Sequence, residues 1–268
     1  MSAWRIEASA AGRVTHLTYV DARGAVLASA ELDAAIGLDV PRYWYQLGCM
    51  VLAAPELQLF HRQRTLLLCN DHTGAAELRG IRVGDSLAPD EAVEAVRRLV
   101  RAALLRLRIL GQGPSAPEPA LIVELAGLRS ADGRSPFWSA LGAHFYDGDV
   151  VAAAERLGPA WRSHVAALLP REPLLVSFLA PAAQSALGEP SAGTASVVEA
   201  VCAEGLRNGR YVTIDEGGPV YESPLDVLAG WRAAREVVVR AAEPAVTGVP
   251  CLLTDAAATR FVGGALDE

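Results

Sequence analysis

The feature that most constrains the fold of this chain is a series of strand-like runs that precedes its first long helical pattern. The stretch "RVTHLTYVDARGAVLASAELDA" contains two β-rich runs joined by a turn with Gly24 at its end. The runs "YWYQLGCMVLA", "LQLFHRQRTLLLC" and "ELRGIRV" follow in order. Strands joined by short connections pair antiparallel. This part of the chain is therefore predicted to form an antiparallel group of strands.

A long helix is predicted next, from Pro89 to about Leu110. Val93, Val96 and Val100 recur at three- and four-residue steps, which places them on one apolar face. A proline in the first turn is typical of a helix start. The segment "GQGPSAPEP" that follows is predicted to be a loop, and "ALIVELAGL" a strand buried on both faces.

The rest of the chain alternates between helical and strand patterns. Ser135 followed by Pro136 predicts a capped helix start in "SPFWSALGAHFY". Further helical regions are predicted at residues 150–169 and 194–204, and "GRYVTIDEGGPVYE" is predicted to be a strand that enters a turn. The predicted fold class is α/β (α+β), a mixed, largely antiparallel sheet with helices packed on it. Residues 1–235 are expected to form the domain, with 236–268 as a short C-terminal extension.

Composition narrows the classes of partner. About half of the 268 residues are hydrophobic and the net charge is -7, so neither nucleic acid nor an anionic membrane is expected as a main partner. The four cysteines show no paired spacing and the histidines are dispersed, so no metal site is expected. The start of the chain lacks an apolar leader, which predicts a cytoplasmic location.

The cluster "NDHTG", residues 70–74, is the most unusual polar stretch. Its residue types suit a turn whose side chains bond their own backbone, and they also suit a binding site. We expect a strand–turn–strand junction in which Asn70 and Asp71 are partly buried and hydrogen-bonded. His72 is expected to be solvated.

Several segments together resemble the arginine N-succinyltransferases. They include "AAIGLDVPRYWYQLG", "TLLLCNDHTGAAEL", "GRSPFWSALGAHFYD", "AAQSALG" and "DEGGPVYE", in the order and rough spacing of that family. The resemblance covers residues 26–235, with a poor match at 82–119. It implies an acyl-CoA N-acyltransferase (GNAT-like) fold. It also implies transfer of a succinyl group from succinyl-CoA, a co-substrate and not a tightly bound cofactor, to the amino group of arginine or a related amine.

The resemblance also implies a set of site residues. Glu216 precedes a Gly-Gly-Pro turn, where its carboxylate could bind a guanidinium bidentately or cap the turn. Both interpretations stay open. The implied substrate-binding residues are Asn70, Asp71, Thr73, Glu77 and Glu216, and the residue implied in succinyl-CoA contact is Ile81.

The sequence departs from the family pattern at two functional positions. Ser191 stands where the family has a catalytic histidine, and a serine hydroxyl cannot titrate near neutral pH. Asp85, Asp90 and Glu91 stand where the family has a basic loop for coenzyme A, which predicts weaker coenzyme A binding. Relative to the family, the domain is also expected to be truncated at its N-terminus. The alternative hypothesis is therefore a catalytically degenerate paralogue that acts as a binding module or as the partner of a homologous subunit.

Overall fold

The computed structural model describes residues 4–109, 111, 119–236 and 249–266, and in these ranges the strands form one twelve-stranded sheet. Its order is β11-β12-β1-β2-β3-β6-β7-β10-β9-β4-β5-β8. Among the described strands, only β6 and β7 pair in parallel. The strands are β1 Trp4–Ala11, β2 Val14–Asp21, β3 Val26–Asp33, β4 Trp44–Ala54, β5 Leu59–Cys69, β6 Ala76–Val83, β7 Ala120–Glu124, β8 Leu174–Leu175, β9 Arg207–Thr213, β10 Pro219–Pro224, β11 Val249–Thr254 and β12 Arg260–Leu266.

The helices pack on this sheet, which confirms the predicted mixed, largely antiparallel class. The turn between β2 and β3 is the predicted one, with Gly24 at a φ of 85° that glycine adopts without strain. Of the predicted loop at residues 111–119, residues 112–118 lie outside the described residues. The helices are α1 Pro89–Ile109, α2 Pro136–Ala140, α3 Val150–Leu157, α4 Trp161–Ala166, α5 Pro181–Ala186, α6 Ala195–Ala203 and α7 Ala229–Ala233.

The predicted helix at residues 150–169 is interrupted. Gly158 has a φ of 56°, and a short 3-10 turn, Gly158–Ala160, separates α3 from α4. Pro159 has no N–H to continue the α-helical ladder, so a break at this position is expected.

The predicted cap of α2 is confirmed, because the Ser135 hydroxyl accepts a hydrogen bond from the Trp138 N–H at 3.1 Å. Trp138 itself is partly exposed.

The two faces of the central strands differ in chemistry. Ala30, Leu32 and Leu78 are buried against α1 in the main hydrophobic core. The residues that alternate with them, such as Asp33 and Glu77, point to the opposite face because side chains in a strand alternate. One face therefore holds the main core, and the other carries charged groups beside a smaller apolar cluster that includes Trp44 and Ile122.

The described part of the C-terminal segment belongs to the same sheet. β11 and β12 form a hairpin, and β12 pairs antiparallel with β1. A boundary at residue 235 between a domain and an extension stays a prediction. In the described ranges, no helix combines the length and the apolar character that a membrane crossing requires.

Candidate active site

A cavity of about 760 Å³ lies on the charged face of the sheet, opposite α1. It opens where β6 and β7 diverge, since these strands pair only at Ala76–Leu121 and Glu77–Ile122. The residues that line it come from β3 and the loop before β4, from β6, from the end of β7, from α3 and α4, and from the end of β9 with the turn that follows. Segments distant in sequence therefore build one concave site.

Glu124, at the end of β7, is the centre of an ion network in this cavity. Its carboxylate accepts hydrogen bonds from the Trp44 indole N–H at 2.7 Å, from Arg162 at 2.7 Å and from Arg42. Arg42 also binds both carboxylate oxygens of Glu77, which is 1% exposed. The network ties β4, β6, β7 and α4 together through groups that are mostly out of water.

The pKa values of the two carboxylates are shifted in opposite directions. Burial by itself would raise the pKa of Glu124, but the attraction of Arg162 and Arg42 outweighs it and lowers the pKa to about 2. For Glu77, burial and the nearby Glu124 charge raise the pKa despite the contact with Arg42. Glu124 is thus a fixed anion, and Glu77 is the carboxylate that takes a proton more readily.

The lining of the cavity is net negative. It contains four arginines and six carboxylates, which leaves a formal charge of -2. A low-dielectric concave surface with this balance attracts cations. The charged residues of the lining are Arg13, Arg42, Arg79, Arg162, Glu31, Asp33, Asp39, Glu77, Glu124 and Glu216.

Two of the predicted substrate-binding residues, Glu77 and Glu216, lie in this lining. One oxygen of Glu216 accepts a hydrogen bond from the Gly127 N–H at 3.0 Å, and the other pairs with Arg129. These contacts are the ones expected of a carboxylate that holds the adjacent turns. Bidentate binding of a guanidinium by Glu216 stays a prediction, and it would require Arg129 to move aside.

The "NDHTG" cluster forms the predicted turn between two strands, but its burial was predicted wrongly. Asn70 and Asp71 are exposed, whereas His72 is buried. The imidazole of His72 packs edge-on against Trp44 and Tyr211, with ring centroids 5.0 and 4.3 Å away. The Asp71 carboxylate accepts a hydrogen bond from the Tyr211 hydroxyl at 2.9 Å. Packing against aromatic rings from distant strands therefore determines that His72 is buried, and not Asn70 or Asp71.

The backbone of the cluster supports the cavity wall. The Gly74 N–H donates to the Ile36 carbonyl at 2.7 Å, and the Ile36 N–H donates to the Ala75 carbonyl at 2.9 Å. Ile36 and Gly37 line the cavity. Asn70, Asp71 and Thr73 lie outside its described lining, so their contact with substrate stays a prediction.

Ser191 lies at the edge of the site. Its N–H donates to the carbonyl of Ala126 at 2.8 Å, and Ala126 lines the cavity beyond the end of β7. Ile81 packs partly buried against the α1-side core. A catalytic role for Ser191 and a contact between Ile81 and succinyl-CoA stay predictions.

The acidic start of α1 is exposed. Asp85, Asp90 and Glu91 all face solvent, and the Glu91 carboxylate accepts a hydrogen bond from the Ala88 N–H at 3.0 Å. The carboxylate thus satisfies one of the free amides at the helix start. An anionic ligand would have to compete with it.

Sequence reasoning missed the charged centre of the cavity. Arg42 lies in the segment "AAIGLDVPRYWYQLG", but no spacing pattern connects it with Glu124 or Arg162. One signal was available, because Glu124 closes the buried run "ALIVE", where a charge requires a partner. The identity of its partners could not be read from the sequence, since they lie 82 and 38 residues away.

Comparison with known proteins adds to this geometry. A family model described as "Arginine N-succinyltransferase beta subunit" matches residues 7–230, a span that includes every described residue of the cavity lining. Proteins named "Arginine N-succinyltransferase" from Enterobacter sp. (strain 638) and Escherichia coli (strain K12 / DH10B) are 31% identical over 230 residues. The matched part is 86% of this chain and 65% of each relative.

A solved structure has a similar fold. It is described as arginine/ornithine succinyltransferase subunit AI from Pseudomonas aeruginosa, and it superposes with a TM-score of 0.74 at 24% identity. The match covers 97% of this chain and 74% of that chain. At this identity, the likeness concerns the fold.

Proposed function

This chain belongs to the arginine N-succinyltransferase family, and from that premise we propose that it transfers a succinyl group from succinyl-CoA to the amino group of arginine or a related amine. The observation that carries the proposal is the net-negative cavity at the divergence of β6 and β7, which lies wholly within the span matched by the family. A cationic amine is the class of small molecule that such a lining attracts.

The reaction requires an amine nitrogen that has lost its proton. That nitrogen attacks the thioester carbonyl carbon, the new C–N bond forms, the C–S bond breaks, and the departing thiolate takes up a proton. We assign contact with the amine to Glu77, because it lies in the cavity lining and burial raises its pKa; this contact requires Arg42, which binds both carboxylate oxygens, to make room. Arg42 keeps its carboxylate oriented.

We propose that the thioester of succinyl-CoA binds where β6 and β7 diverge. Past Glu77, the β6 main-chain groups that face β7 have no strand partner in the described part of the chain. Main-chain N–H groups of this kind can stabilise the negative charge that develops on a carbonyl oxygen during acyl transfer. We therefore place the acyl group of the thioester in this gap, beside the charged cavity.

Ser191 gives the proposal a sharp test. If an acid is missing at this position, Ser191→His should increase turnover about a hundredfold, the lower end of what a positioned acid contributes. The matched control is Ala192→His, which adds an imidazole at the neighbouring exposed residue. An equal effect of both variants, or none, would remove the assignment of Ser191 to the proton-donor position.

The activity itself is tested by incubating the purified protein with succinyl-CoA and following free thiol, with and without arginine or ornithine. We expect thiol release that depends on the amine and decreases strongly in Glu77→Gln. Absence of turnover with any amine and any acyl-CoA would contradict the proposal. Binding of the amine without turnover would instead identify a binding module or a partner subunit.

A further inference from the structure

The hairpin of β4 and β5 extends beyond the rest of the sheet. β4 pairs with β9 only at residues 44–46, and β5 pairs with β8 only at Thr65 and Leu66. From residue 48 to 64, the two strands pair only with each other in the part of the chain that the structure describes. Seven residues of β4 extend about 23 Å at the rise of a strand. The hairpin is therefore an arm, defined here as residues 48–64.

A two-stranded arm is barely stable in water without further packing. This arm carries large apolar side chains in contact with solvent. Met50, Val51 and Leu52 are 42%, 50% and 46% exposed, and Leu57 and Phe60 are each 69% exposed. The exposed apolar surface indicates that another surface covers the arm.

The two edge strands of the arm differ in how strongly they discourage pairing with a further strand. The outer edge of β5 carries Arg62 and Arg64, and charged side chains on an edge strand discourage pairing with other strands. The segment "LGCMVLAA" of β4, residues 47–54, contains neither a charged residue nor a proline. The β4 edge is thus the edge at which a further strand can add.

We propose that residues 49–53 of β4 pair antiparallel with the same residues of a second copy of this chain, about a two-fold axis that passes beside Val51. In a two-fold interface, residue i of one copy contacts residue j of the other and j contacts i, so residues of this one segment meet only one another. On β4 no charges meet, whereas on β5 the arginines of the two copies would repel one another. Since every second residue directs its N–H and C=O outward, the overlap provides about four to six main-chain hydrogen bonds.

Charge also favours this arrangement. The chain has a net charge of -7, which opposes close approach of two copies. Pairing through the arms keeps the two bodies about 20 Å apart, beyond the ~8 Å range of electrostatic repulsion at physiological salt. A second copy can therefore add to the arm without bringing the acidic bodies together.

The test is sedimentation velocity of the full chain and two matched variants. Leu52 on β4 and His61 on β5 lie directly opposite each other and on the same face of the arm. Leu52→Lys and His61→Lys therefore add the same charge at the same level of the arm, one on each strand. We expect the wild type to be a dimer, Leu52→Lys to raise the dimer Kd by more than about tenfold, and His61→Lys to change it little. A monomeric wild type, or equal dissociation by both variants, would overturn the proposal.

A cross-link gives a second measurement that does not depend on mutating the apolar surface. Full overlap places the exposed Cys49 opposite Ala53 of the partner subunit. Within one chain these residues lie about 13 Å apart along the strand, too far for a disulfide. Oxidation of Ala53→Cys should therefore yield a covalent dimer that the wild type does not form. A dimer without this cross-link would refute the pairing.

Discussion

Replacement of Glu124 by glutamine should destabilise the protein by about 3 kcal/mol at neutral pH. The side chain of Glu124 is 11% exposed, and its pKa is lowered from 4.5 to about 2 because Arg162 and Arg42 outweigh the effect of burial. A carboxyl pKa that is lower by one in the folded state corresponds to ~1.4 kcal/mol of favourable interaction with the ionised form. Glutamine retains the shape of the side chain, but its NH2 group is a donor and cannot accept the hydrogen bonds that the two arginines donate.

The predicted loss depends on pH with a definite sign. A lowered carboxylate pKa stabilises the folded state above the unfolded-state pKa, and this contribution is lost as the pH falls. The difference between wild type and Glu124→Gln should therefore be largest above pH 4.5 and decrease towards pH 2. The raised pKa of Glu77 has the opposite effect, because it makes the folded state more stable as the pH falls. The stability of the variant is therefore compared with that of the wild type at each pH.

Urea unfolding followed by tryptophan fluorescence measures this effect, because Trp44 donates a hydrogen bond to Glu124. Glu56→Gln is the control, since this residue is an exposed carboxylate. A loss below about 1 kcal/mol, similar to that of a surface ion pair, would refute the view that the network stabilises the site. A difference that does not change with pH would refute it as well.

Three further predictions concern other parts of the molecule. Neutralising the three carboxylates around the start of α1 should tighten succinyl-CoA binding about tenfold, because each carboxylate at a helix start is worth roughly 0.3–1 kcal/mol. Calorimetric titration measures this, and micromolar binding by the wild type would contradict it. Gly218→Ala should lower the unfolding free energy by about 1–3 kcal/mol, because the added Cβ would lie 2.2 Å from the Leu125 carbonyl oxygen. Gly193→Ala is the control: its Cβ would have no atom within 4 Å, so it should leave the thermal melt unchanged. Burial lowers the pKa of His72 from 6.5 to about 4, so wild-type stability should fall as the pH decreases through this range, and His72→Phe should flatten that profile in urea titrations.

Elements determined by local sequence were predicted well. The turn before β3 and the helix α1 follow from glycine, proline and apolar spacing within a few residues, so no distant contact is needed. The break between α3 and α4 was also encoded locally, by Gly158 and the proline after it, but the apolar spacing on both sides masked it.

The site was only partly predictable. Glu77 and Glu216 reach the cavity, and they were found through the family resemblance. Arg42 and Arg162 enter because β4 and α4 converge on the end of β7, a consequence of topology that single-residue patterns do not carry. His72 was misjudged for the same reason, since the rings that bury it belong to other strands.

Succinyl transfer by this chain is best tested by mass spectrometry of the product after incubation of the purified protein with succinyl-CoA and arginine. We expect arginine that carries one succinyl group on its amino nitrogen, formed together with an equal amount of free coenzyme A. We also expect a large decrease in both products for Glu77→Gln. Coenzyme A release without an acylated amine, or no acylated product from any combination of amine and acyl-CoA, would contradict the proposed transfer.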